Sequence, residues 1–68
     1  MEDNQERIDQ LNIQINSKTI ELDKIKKELG TAKFNNPIKQ NDINKKQEWF
    51  DLHSYIMDLM ERRDSLKS

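Results

Sequence analysis

From Ile8 onward, apolar side chains recur at Ile8, Leu11, Ile15, Leu22, Ile25 and Leu29, in steps of three and four with a single gap. That spacing returns each side chain to one stripe of an α-helix, whereas a half-buried strand would alternate. With Ile8 as position a of a seven-residue repeat, the a positions are Ile8, Ile15, Leu22 and Leu29, and the d positions are Leu11, Lys18 and Ile25. Lys18 fills the gap. As a polar side chain in the seam it either fixes register or partner, or extends its stem out of the seam into water. Gly30 follows directly, where a left-handed C-cap is wanted, and Lys24, Lys26 and Lys27 lie near that end, favourable for the helix dipole. The pattern predicts a first helix over about residues 4–29.

A second seam runs through Trp49, Leu52, Ile56 and Leu59, with Arg63 and Leu66 continuing its phase, and predicts a helix over about residues 44–67. The connection, about residues 30–43, holds turn-forming Gly30, Asn35 and Asn36 before Pro37, whose ring disfavours helix at Asn36. The second helix has two possible starts: Pro37 as first helical residue with Asn36 as N-cap, or Asn44 with Gln47 completing a capping box. The two helices match in length, so an antiparallel hairpin forming one domain over residues 1–68 is expected. The alternative is two splayed helices, each pairing with another chain.

One facing helix does not cover all of this apolar surface. Phe50, His53, Met57 and Met60 flank the second seam and widen its apolar arc to about 160°, and Ile43 lies on the same flank. The expected fold is therefore all-α: an antiparallel two-helix hairpin with coiled-coil heptads that assembles into a helical bundle oligomer, a dimer first. Its seam is assigned to Ile8, Leu11, Ile15, Leu22, Ile25, Leu29, Trp49, Phe50, Leu52, Ile56, Leu59 and Met60. Ile13 and Ile20 fall almost opposite the first seam and form a candidate face for a different protein partner, or are ordinary surface isoleucines.

Composition strengthens the case for association. At 68 residues, 37% charged and 32% hydrophobic, the chain has little core, and with no cysteine it lacks both disulfides and thiolate metal sites. Net charge is −1, but residues 31–47 hold four bases and one acid. Lys33, Lys39, Lys45 and Lys46, with Phe34, Asn35, Asn36 and Gln40, make a candidate basic patch for nucleic acid, or a solvated bend that balances two acidic helices. No apolar run approaches the roughly 20 residues that span a bilayer, and the opening MEDNQERID lacks a signal peptide's basic start. A cytoplasmic protein without membrane association is expected. The absence of valine and the abundance of Lys, Asn and Ile suit an AT-rich bacterial or phage genome.

Catalytic chemistry finds little to use. His53 has no second imidazole and no cysteine with which to share a metal, although two copies could meet across a symmetric dimer as a pH-sensitive pair. The four serines have no accompanying base and oxyanion donor, and a single glycine makes no phosphate-cradling loop. Arg7-Ile8-Asp9, Gly30, Lys33 and Pro37-Ile38 loosely resemble the first helix of the small helical chorismate mutases, but that family's arginines fall on or near Gln5, Leu22 and Asp42. Gln47-Glu48 with Asp51 resembles a motif of the sporulation aspartyl-phosphate phosphatases, yet Lys46 replaces its serine and an extra residue turns Asp51 by about 100°. The reading is a non-enzymatic protein–protein interaction module, without cofactor or metal, acting as adaptor, assembly factor or inhibitor through its helical faces. The alternative is a small nucleic-acid-binding helical dimer using the basic bend.

Overall fold

The computed structural model of the chain describes residues 4–67. Its elements are α1 (Asn4–Leu29), α2 (Thr31–Asn35) and α3 (Gln40–Lys67), with no strand among the described residues. α1 and α3 pack along each other. They run antiparallel: Arg63 near the end of α3 donates to Asn12 Oδ1 near the start of α1 (3.1 Å), and Lys45 near the start of α3 meets Glu28 near the end of α1 (3.1 Å).

The a positions of α1 form the buried row. Ile8, Ile15, Leu22 and Leu29 are all buried, while Leu11, Lys18 and Ile25 at d are only half-covered. Asn12 and Thr19, on the other side of the row, are half-covered as well, so the line of contact with α3 runs through a itself. Thr19 satisfies its hydroxyl by donating back to the Ile15 carbonyl at 2.7 Å. Lys18 lies with its ammonium 3.6 Å from Glu21 and its side chain 37% exposed, the geometry of a stem leaving the seam. Across the interface, Ile56 and Leu59 are buried, and Leu59 is 2% exposed. Ile15, Leu22, Ile56 and Leu59 are the centre of the core, with Leu11, Trp49, Leu52 and Met60 packed around them.

The connection differs from the expected turn over residues 30–43. Gly30 does have positive φ, but at φ 86 and ψ 149 it is extended rather than left-handed helical. Its N–H closes α1 on the Lys26 carbonyl (2.9 Å), and its own carbonyl accepts the Phe34 N–H (2.9 Å) to open α2. One glycine thus ends one helix and starts the next. α3 begins neither at Pro37 nor at Asn44. Lys39 supplies the first carbonyl, accepting the Ile43 N–H at 3.0 Å, and the Asn44 side chain, inside the helix, accepts from Gln40 at 3.0 Å instead of capping. With residues 31–35 helical, a start at Pro37 would leave Asn36 alone to reverse the chain, and residues 37–39 supply the missing reach.

The result is a rod of 53 × 15 × 14 Å with a radius of gyration of 15.2 Å, against about 11 Å for a compact domain of this length. Charge is divided along it. Residues 24–50 at the bend hold seven lysines and three acids, whereas the described remainder holds five bases and eight acids.

Candidate interaction surface

α3 is apolar on more of its circumference than α1 covers. Ile43, Phe50 and Met57 repeat at intervals of seven, so they share one stripe about 100–140° away from buried Ile56. All three are exposed, Phe50 at 47% and Met57 at 48%. Phe50, assigned from the sequence to the seam, therefore stands outside the core of the single chain. Among the described residues, seven large hydrophobic side chains are exposed and six hydrophobic side chains are buried.

The bend end of this stripe is aromatic. Phe34 on α2 meets Trp49 edge to face at 5.0 Å and stacks on Phe50 at 6.2 Å, while Trp49 stacks on His53 one turn later at 5.0 Å. These contacts explain α2. A five-residue helix has little stability of its own, and Phe34 holds this one by packing on Trp49 and Phe50 of α3. Lys26 Nζ lies 4.9 Å from the Phe34 ring centre and 5.9 Å from that of Trp49, and Lys46 Nζ lies 5.3 Å from Phe34. Such contacts contribute about 0.5–1 kcal/mol each at exposed sites.

The lysines assigned to the basic patch do not act as one group. Lys46 covers Phe34, Lys45 is held by Glu28, and Lys33 and Lys39 are exposed. Lys26, read in the sequence only as a dipole partner, joins the aromatic cluster. The signal available for it was the placement of Lys26 and Trp49 eleven and twelve residues either side of Pro37, which an antiparallel hairpin brings alongside each other. Ile13 and Ile20 are 67% and 69% exposed, one above the other on α1. Near the open end of the rod, Arg7, Leu11, Gln14, Asp58, Arg62 and Leu66 line an open groove, and Arg62 there is paired with Asp58 at 3.1 Å.

No described helix is long and apolar enough to cross a membrane, and among the described residues no three acidic or histidine side chains converge on a point where a metal ion could sit. No protein-family model, curated protein or solved structure matches the chain.

Proposed function

We propose that this protein is a non-enzymatic protein–protein interaction module that self-associates and presents helical faces to a larger partner, as an adaptor, assembly factor or inhibitor. The observation that carries this reading is the exposed stripe Ile43, Phe50 and Met57 beside a thin core of six buried side chains among the described residues. Because each of these side chains is already about half covered, a monomer that leaves them wet forgoes about 0.7–1.5 kcal/mol for each one that a second chain could bury. The accessible surface of 5300 Å² agrees, since a compact monomer of 8.2 kDa exposes about 4,500 Å². Ile13 and Ile20 supply the outward face for a different partner, and bundling in heptad register is the form of assembly that the seam favours. The test is thermal melting at several chain concentrations. Self-association makes the melting temperature rise with concentration, and a temperature independent of concentration rejects it.

The aromatic–lysine cluster supports a second reading, a single-stranded nucleic-acid contact at the bend, where Lys26 and Lys46 flank Phe34. Binding of that kind falls steeply with salt and is lost on Lys26→Glu with Lys46→Glu. Retention that ignores both salt and these changes rejects it.

A further inference from the structure

We infer that the stripe on α3 is an interface between two copies of this chain, related by a two-fold axis through Phe50, with the two α3 helices antiparallel. The inference rests on the self-association proposed above and adds the face and the direction of pairing. Along α3 the stripe reads Ile43, Lys46, Phe50, Met57 and Glu61, in steps of three, four and seven that keep all five within an arc of about 60°, and Lys39 precedes it at the N-cap. Lys46 is half-covered, and Lys39 and the other four are exposed. The apolar side chains occupy the middle, the lysines the bend half, and the carboxylate the open half.

That order decides the occupant and its orientation. With Phe50 on the axis, an antiparallel copy sets Ile43 opposite Met57 of the second copy and Lys39 opposite its Glu61, and symmetry makes each contact twice. A parallel copy sets Lys39 on Lys39 and Glu61 on Glu61, like charges at both ends. The whole rod has the same polarity, because antiparallel pairing lays the bend, with seven lysines and three acids, beside an open end whose described residues carry five bases and eight acids. Phe34, stacked on Phe50, widens the apolar centre at the axis.

The chain has no cysteine, so engineered cysteines read the pairing directly. Ile43→Cys and Met57→Cys variants of the full chain are made separately, checked for helicity, and oxidised in a glutathione buffer alone and mixed. The expected result is a disulfide-linked dimer from the mixture and none from either variant alone, since residues 43 and 57 lie about 21 Å apart along the helix. As a second measurement, Phe50→Asp should raise the dimer dissociation constant at least about tenfold while leaving the helicity of the two long helices, α1 and α3, intact. Cross-linking of each variant alone means parallel pairing and overturns the inference. A chain that sediments as a dimer but cross-links in neither case, or ignores Phe50→Asp, pairs through another face, which overturns the inference and leaves the self-association reading in place. A chain that stays monomeric overturns both.

Discussion

Changing Gly30 to alanine separates a backbone effect from a packing effect at the point where the chain turns. A Cβ built on Gly30 would meet no atom within 4 Å, so space opposes nothing. The cost lies in the backbone, whose φ of 86 with ψ of 149 belongs to a region that is essentially glycine's alone, at about 1–3 kcal/mol for another residue. Alanine also narrows the unfolded ensemble, which offsets about 0.4–1 kcal/mol. The net destabilisation is about 0.5–2 kcal/mol, and at roughly 4–8 °C per kcal/mol for a chain of this size the melting temperature should fall by about 3–15 °C. Far-ultraviolet circular dichroism at one fixed chain concentration measures it, because self-association would otherwise move the midpoint. Gly30→Asn should be no better than alanine, since asparagine tolerates left-handed helical ψ and not the extended ψ found here. The fluorescence of Trp49, the single tryptophan, should shift as well if Phe34 leaves its face when α2 is displaced. A melting temperature that holds or rises in Gly30→Ala would refute the reasoning.

Leu59→Ala removes the most deeply buried side chain and should cost about 2–5 kcal/mol, a large part of the roughly 3–10 kcal/mol expected for the whole chain, so circular dichroism should show a partly unfolded protein at room temperature. Ile13→Gln with Ile20→Gln should move the melting midpoint by less than about 0.5 kcal/mol equivalent while weakening capture of a heterologous partner; unfolding of this variant would place both isoleucines in the protein's own core. Glu28→Gln breaks the ion pair to Lys45, and because both side chains are more than a third exposed the loss in a denaturant titration should be about 1 kcal/mol or less.

The two long helices were legible because their apolar spacing is regular over several turns, and Ile8 to Leu29 on α1 required only the 3.6-residue period. The finer division within that stripe was not. Heptad notation treats a and d alike, whereas one facing helix covers the a row and leaves Leu11 and Ile25 half-wet, an outcome set by the rotation of α1 about its axis. The connection misled for a local reason. Gly30, Asn35, Asn36 and Pro37 are turn formers, and they masked Phe34, whose contacts with Trp49 and Phe50 make residues 31–35 a helix through tertiary packing that propensity does not report. The start of α3 was misplaced because both Asn36 and Asn44 offer capping chemistry, while the reach needed to reverse the chain, a property of the whole bend, selects Lys39. Of the surface, the wide apolar arc of α3 and the outward isoleucines of α1 followed from periodicity. The alliance of Lys26 and Lys46 with Phe34 depends on three elements meeting, and no single segment contains it.

Sedimentation equilibrium of the unmodified chain over a concentration series at micromolar and higher levels tests the central claim most directly. If the exposed stripe of α3 is an interface, the weight-average mass rises with concentration from the 8.2 kDa of one chain toward twice that value, and Phe50→Asp moves that rise to at least about tenfold higher concentration. A cooperatively folded chain that remains at 8.2 kDa across the series would contradict the account, because Phe50, Ile43 and Met57 would then be surface that the hairpin tolerates without a second copy.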